Sequence, residues 1–248
     1  MPANEPDKEA RNVETAKSLP QKLSDELVQL ILDEHLQAGD RLPNEAVLAD
    51  RLGAGRSSVR EAVKLLASRN IVTVRQGSGT YVTGEPGVVD DPLGLMFVED
   101  KPRLARDLLE VRFMIEPTVA QMAAQRATAE DTSRIEHLCA EVEHLIEQGE
   151  DHTAADVEFH RAVALSSGNI VVPRLIPVIN SSIPLFVDMT RNLLARETLA
   201  THRELAQAIA AHDALRAHDA MYLHLVYNRE KIAELLVERT EAEDAHMA

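Results

Sequence analysis

Residues 42–82 read LPNEAVLADRLGAGRSSVREAVKLLASRNIVTVRQGSGTYV, and this stretch decides how the chain is organised. Its first part is helical in period, with Val47, Leu48 and Leu52 at helix spacing. Asn44 stands where a helix start needs a cap, because its side chain accepts from an otherwise unpaired backbone N–H. Gly53-Ala54-Gly55 makes a short turn of the kind that joins two crossed helices. In the second helix Val59, Ala62, Val63, Leu65 and Leu66 form an apolar stripe. Arg56, Arg60 and Lys64 are four apart and share another face. Ile71-Val72-Thr73-Val74 is β-prone, Gln76-Gly77-Ser78-Gly79 supplies turn residues, and Thr80-Tyr81-Val82 returns as a second strand. The reading is a winged helix-turn-helix.

Size and charge suit this shape to DNA. An α-helix fits the major groove, where base edges carry a distinct donor and acceptor pattern. Arg56, Ser57, Ser58 and Arg60 sit at the N-terminal end of the second helix, the end that meets base edges in this motif. Between Arg56 and Arg75 there are five basic residues and one acidic residue, Glu61. Such a patch faces phosphates, with an affinity that falls steeply with salt. A charge run alone is usually a solvated helix face, but here the turn, the patch and the wing coincide. The candidate DNA contacts are Arg56, Ser57, Ser58, Arg60, Lys64, Arg75, Gln76 and Gly77. Glycines at the hairpin tip let backbone come close to the duplex.

This stretch resembles the DNA-binding domain of the GntR family of bacterial transcriptional regulators. Arg56 matches the arginine that opens the family's recognition helix, Arg60 the arginine of its VRE run, and Gly77 its wing-tip glycine. There are departures: many members carry Arg or Lys where this chain has Ala46, and Ser or Thr where it has Gly55. The change at Ala46 removes one expected DNA contact, so the operator can differ from the usual family site. The resemblance implies a double-stranded DNA operator as partner.

The 248 residues suffice for about two domains. The chain has no apolar run long enough to span a bilayer and no signal-peptide pattern at its start. The single cysteine, Cys139, cannot form an internal disulfide, which suits a cytoplasmic protein. The net charge of −15 has to be divided before it can be read. Residues 19–83 carry eight basic and eight acidic side chains, residues 84–248 fifteen and twenty-nine, and residues 1–18 three and four. The acid therefore lies in the second half, which repels DNA and leaves binding to the local basic face.

Residues 1–18 are polar and aperiodic and read as a disordered arm. From Leu19 to Gln37 a stripe of Leu23, Leu27, Leu30, Ile31 and Leu36 predicts a helix packed behind the helix-turn-helix. The winged unit spans 19–83 and a linker spans 84–102, with a short helix near Leu93–Val98. Residues 103–240 are helical in period throughout and 241–248 form a tail. The helices drawn from period and breakers are Arg103–Arg126, Ala129–Gln148, Thr153–Ser166, Ile170–Leu194, Ala200–Ala211 and Ala214–Arg239. Pro117 is expected to kink the first, and Pro173, Pro177 and Pro184 to bend or break the fourth. Aromatics are only 3 % and Trp is absent, so the core is Leu, Val, Ile and Ala. The fold class is mainly α: a winged helix-turn-helix of three helices plus a β-hairpin, followed by an all-α antiparallel helix bundle.

A second constellation lies in that bundle. Asp156 and His160 are four apart and share a helix face. His202 opens another helix, and His224 sits inside the last one. A turn at His212-Asp213 would place these two at similar height on antiparallel helices. Three histidines and an aspartate from three helices can converge on one ion inside a bundle. Nitrogen and oxygen donors without thiolate suit a divalent ion such as Zn, Ni, Mn or Fe, with Zn the first choice. Spacing alone leaves a satisfied polar cluster as the alternative. The other histidines, His35, His137, His144, His152, His212, His218 and His246, read as solvated surface.

The segments DVEFHRAVALSSGN, THRELAQAIAAHDALRAHDAMYLHL and LLEVRFMIEPTVAQMAAQRAT are similar to the C-terminal effector domain, FCD, of the family's FadR-type branch. In that domain a D-x-x-x-H pair and two later histidines bind a divalent metal in many members. These positions match Asp156, His160, His202 and His224. Four protein ligands on a metal that accepts six would leave open positions for a small carboxylate effector. Arg112 could clamp that carboxylate or pair with Glu116 at i, i+4. Asn180, Ser181 and Ser182 could line the pocket or satisfy a kink.

The function expected is a metabolite-responsive regulator, a repressor that binds a short palindrome as a homodimer. One rival is a regulator that senses the metal ion itself. Another is a metal-dependent enzyme, against which stands the lack of an obvious base or nucleophile beyond the ligands.

Overall fold

Local signals set the helix starts and stops in the first half of the chain. The computed structural model describes residues 17–247, apart from 85, 88, 90, 92 and 181–193; the side chains of 177–180, 236 and 238–247 are also outside the description. The chain divides into two compact units, residues 1–89 and residues 90–248.

In the first unit, α1 (Leu19–Asp33) is capped by Ser18 and Gln21 in a reciprocal box. Its face of Leu23, Leu27 and Ile31 is buried. The next helix, α2 (Glu45–Leu52), is capped as expected: the Asn44 side chain accepts from the N–H groups of Ala46 (3.1 Å) and Val47 (3.0 Å). It ends at Gly53, which sits in the left-handed region at φ 59°. Helix α3 (Arg56–Ser68) buries Val59, Ala62, Val63 and Leu66. Strands β1 (Val72–Arg75) and β2 (Gly79–Val82) pair antiparallel, from Val72 opposite Val82 to Arg75 opposite Gly79. Val72 and Val82 close the core formed by the three helices. The winged helix-turn-helix read from the sequence is the fold observed.

The second unit is a helix bundle. A 3₁₀ turn at Leu95–Phe97 falls where a short helix is expected. Helix α4 (Lys101–Arg126) continues through Pro117 as one element of 26 residues. Helices α5 (Ala129–Gln148) and α6 (Thr153–Ser166) have the predicted bounds. Helix α7 (Val172–Asn180) begins after Asn169, whose side chain accepts from the N–H groups of Val171 (2.8 Å) and Val172 (3.2 Å). The rest of the expected fourth helix, with Pro184, Ser181 and Ser182, lies outside the described residues. Helix α8 (Ala195–Ala210) starts five residues before the predicted Ala200, and α9 (Ala214–Met247) runs past the predicted Arg239. Helix α4 packs on α9, α9 on α8, α5 on α6 and α8, and α4 on α6. Ala120, Ala123 and Ala124 of α4 are fully buried, as are Ala208 of α8 and Ala217 of α9. Small residues at these crossings let the backbones approach closely. Phe159, also fully buried, is the large side chain at the centre.

Candidate functional site

The basic face of the first unit is on its surface. Arg56, Ser57, Arg60, Lys64, Arg75, Gln76 and Gly77 are exposed, and Ser58 is half-buried. Helix α3 turns its apolar stripe inward, and that orientation alone puts Arg56, Arg60 and Lys64 outward. The guanidinium of Arg60 is held by Glu45, the first residue of α2, with Nε donating to Oε1 and Oε2 (3.1 and 3.0 Å) and Nη2 to Oε2 (2.7 Å). This hydrogen bonding lowers the carboxyl pKa of Glu45. Both side chains reach solvent, where such pairs contribute about 0–1 kcal/mol. The pair therefore aims Arg60 without locking it. Lys64 pairs with Glu61 at 2.9 Å. On the wing, Arg75 lies 4.6 Å over the Tyr81 ring. Gly77 at the tip has φ 73°, a conformation that L side chains rarely adopt. The role of Glu45 is not legible in the sequence, because its partner is fifteen residues away on another helix.

In the second unit the structure gathers Asp156, His160, His202 and His224 into one buried cluster. One ring nitrogen from each of His160, His202 and His224 lies within 4.8 Å of the others. Ring centroids are 5.3 Å apart for His160 and His202, 5.2 Å for His160 and His224, and 4.9 Å for His202 and His224. Asp156 joins through Oδ1, which is 3.4 Å from Nε2 of His202. Helix α6 carries Asp156 and His160 on one face, one turn apart. The α8–α9 turn brings His202 and His224 to the same height, as the count of residues on either side predicts. His202 lies well inside α8 rather than at its start, because that helix begins earlier than expected. Phe159 stacks on the His202 ring with centroids 4.3 Å apart and forms an apolar wall.

The polar atoms of this cluster fit a cation. Among the described residues, Oδ1 of Asp156, Nε2 of His160 and both ring nitrogens of His202 are buried without a hydrogen-bond partner. Buried polar groups are nearly always satisfied, so such a concentration of orphans calls for an explanation such as an ion. Burial, opposed by nearby charges, raises the Asp156 carboxyl pKa. Burial first, then the repulsion that a second imidazolium in the cluster would meet, pushes His202 and His224 well below the ordinary imidazole range. These two rings are therefore neutral, the form that offers a lone pair.

Several neighbours of the cluster lie beyond the sequence reading or depart from it. Glu116 of α4 lies beside the cluster, its Oε2 3.4 Å from Nδ1 of His160. Burial alone would raise the Glu116 carboxyl, but Arg112 and His160 outweigh it and hold it well below the usual range. Thr201 and Asn228, both buried, each touch His224. His152 is buried at 6 % exposure, not on the solvated surface, because it packs at the start of α6 beside the site. Arg112 is buried and forms the alternative pair: Nε donates to Oε1 of Glu116 (2.7 Å) and Nη2 to Oε2 (3.2 Å). Asn180 ends α7, and its side chain lies outside the description, as does Ser181.

Comparison with known proteins agrees with both halves. The family described as "Bacterial regulatory proteins, gntR family" matches residues 19–82, and the FCD domain matches residues 107–227. The chain is 36 % identical over 234 residues to the "Putative L-lactate dehydrogenase operon regulatory protein" of Escherichia coli (strain K12), covering 84 % of this chain and 86 % of that one. It is 31 % identical to the HTH-type transcriptional regulator LutR of Bacillus subtilis (strain 168), over 79 % of this chain and 93 % of that protein. A solved structure, "Streptococcus agalactiae GntR", is 42 % identical with a TM-score of 0.74, covering 85 % of this chain and 99 % of its own. With an exposed basic recognition helix in one unit, an FCD bundle in the other and relatives of this length, the chain belongs to the gntR family of DNA-binding bacterial transcriptional regulators.

Proposed function

We propose that this regulator is a repressor that binds a short palindromic operator as a homodimer and releases it when a small carboxylic acid occupies the FCD unit. In the helix-turn-helix class, symmetric dimers read symmetric half-sites. Arg56 and Arg60 read base edges, Ser57 and Ser58 support them at the helix start, and Lys64, Arg75, Gln76 and Gly77 meet the backbone.

The observation that carries the sensing half is the group of buried, unpartnered atoms on Asp156, His160 and His202, beside His224. These four residues would hold a divalent cation, zinc first, which would supply positive charge; an ion that accepts six ligands, such as Ni, Mn or Fe, would also keep positions open for a carboxylate. Three neutral imidazoles and one carboxylate leave part of a divalent charge uncompensated, and that favours an anionic effector. A relative is named for an L-lactate dehydrogenase operon, which makes L-lactate the first acid to try.

The test is a fluorescence-anisotropy titration of operator DNA with the zinc-loaded protein, with and without L-lactate and a panel of other small acids. Weaker DNA binding with one of them, absent in His202→Ala, is the expected result. DNA affinity unmoved by every acid would overturn effector control. Removing zinc with a chelator separates the rival: if the ion is itself the signal, chelation changes DNA affinity with no acid present.

A further inference from the structure

The cluster has an asymmetry that the ligand set does not explain. Two of its three imidazoles are held by groups other than the four cluster residues, and the hydrogen-bonding sense of those groups can be worked out. The inference rests on reading the cluster as a cation site.

Thr201 Oγ1 lies 3.2 Å from Nδ1 of His224. A threonine hydroxyl has one proton. That proton is directed at the backbone, since Oγ1 donates to the Glu197 carbonyl at 2.7 Å and lies 3.2 Å from the Thr198 carbonyl. Toward His224 the hydroxyl can therefore only accept, and Nδ1 must carry the ring proton. The other side of the ring gives the same answer independently. Asn228 Nδ2 donates to the His224 carbonyl at 2.9 Å, which fixes the orientation of its amide. The same Nδ2 lies 3.3 Å from Nε2 of His224. An amide nitrogen donates and does not accept, so Nε2 presents a lone pair.

His160 shows the same pattern. Its Nδ1 faces Oε2 of Glu116, a carboxylate already held by Arg112, and a carboxylate in that state only accepts. The proton of His160 belongs on Nδ1, and its Nε2 is left buried without a partner.

We propose that Thr201, Asn228 and Glu116 are positioning residues that preset His224 and His160 as Nδ1–H tautomers, each with its Nε2 lone pair turned into the cluster before any cation arrives. A cation then meets two imidazoles already in the ligating form, and the cost of turning or retautomerising them has been met in folding. Outer groups of this kind are generally worth about 10- to 100-fold in metal affinity. Asn228 shares the His224 lone pair, so its amide proton is the group a cation displaces.

The test uses the full chain, stripped of metal and labelled with ¹⁵N-histidine. Long-range ¹H–¹⁵N correlation reads the tautomer of each ring, with His224 assigned by its loss in His224→Gln. The expected wild-type result is the Nδ1–H form at His224. Thr201→Val keeps shape but removes the acceptor. It should populate the Nε2–H form and weaken zinc binding about 10- to 100-fold in competition with a chromophoric chelator. Thr201→Ser keeps the hydroxyl and should restore both readings, which a mere packing defect would not allow. An Nε2–H tautomer at His224 in the wild type, or zinc affinity in Thr201→Val within twofold of wild type, would overturn the assignment. A wild-type chain that shows the Nδ1–H tautomer yet binds no zinc supports the positioning and sinks the cation reading instead.

Discussion

Arg56 and Arg60 differ in how they are held, and that difference predicts how their loss reads out. Arg60 is aimed by Glu45, whereas Arg56 projects from the first position of α3. We expect Arg60→Ala to lower operator affinity by about 1–3 kcal/mol and to relax sequence preference, as loss of a base contact does. Lys64→Ala should weaken all duplexes alike and reduce the salt slope by about one. Gel shifts on operator and scrambled DNA at several salt concentrations distinguish the two; equal loss on both duplexes for Arg60→Ala would move that residue to the backbone. The residue scale is also where sequence is least able to speak. Arg56, Arg60 and the Asp156–His160 pair are legible from type and spacing, and His202 and His224 from the family resemblance. Glu45, Thr201 and the approach of Glu116 to His160 are not, because each acts on a partner brought to it by folding.

At the scale of elements, capping chemistry makes most boundaries readable. Asn44 and Gly53 bracket α2 where a polar cap and a left-handed residue are needed. A Cβ added at Gly53 would meet no atom within 4 Å, so a larger residue there encounters backbone strain and nothing else. Gly53→Ala should cost about 1 kcal/mol and lower the melting midpoint of the first unit by about 4–8 °C. Scanning calorimetry checks this, and an unchanged midpoint would mean that the turn relaxes. The start of α8 escapes the sequence for a physical reason. Its first turn is mostly half-buried and carries no apolar stripe that a period reading could follow. The end of α9 escapes it because Thr240–Met247 has the polar character of a tail, although the helix continues through it.

For the whole molecule, charge and protonation set the terms. The net charge of −15 sits outside the DNA-binding unit, so attraction to DNA depends on a local face and not on the total. Burial keeps His202 and His224 neutral in the folded chain, whereas the unfolded chain protonates such rings near pH 6.5. The unfolded state then binds more protons below that pH. The metal-free protein should therefore be most stable above about pH 6.5 and lose stability as pH falls, at about 1.4 kcal/mol per pH unit for each ring. Glu116, whose folded pKa is depressed, adds stability that is present above about pH 4.3 and lost on further acidification. Asp156, raised by burial, acts in the opposite sense above about pH 3.9, where its protonation in the folded chain adds stability as the pH falls. Melting curves of chelator-treated protein from pH 8 to 5 check the upper range; a flat profile would show that the two rings are not kept neutral. Zinc at one hundred times its dissociation constant should add about 2.7 kcal/mol of stability, and His202→Ala should abolish that gain.

The order of the helices, the winged head and the separation of a basic face from an acidic body follow from local rules. Periodicity, caps and turn residues act over a few neighbours, and so they are written in the linear chain. The Asp156–His160 pair is also legible there, since it spans one helical turn, while His202 and His224 are marked by the resemblance to the FCD domain. Their convergence to within a few ångströms, the approach of Glu116 to His160, and the hold of Thr201 on His224 depend on how distant helices cross. That crossing is set by side-chain packing summed over the bundle, and no short window of residues contains it.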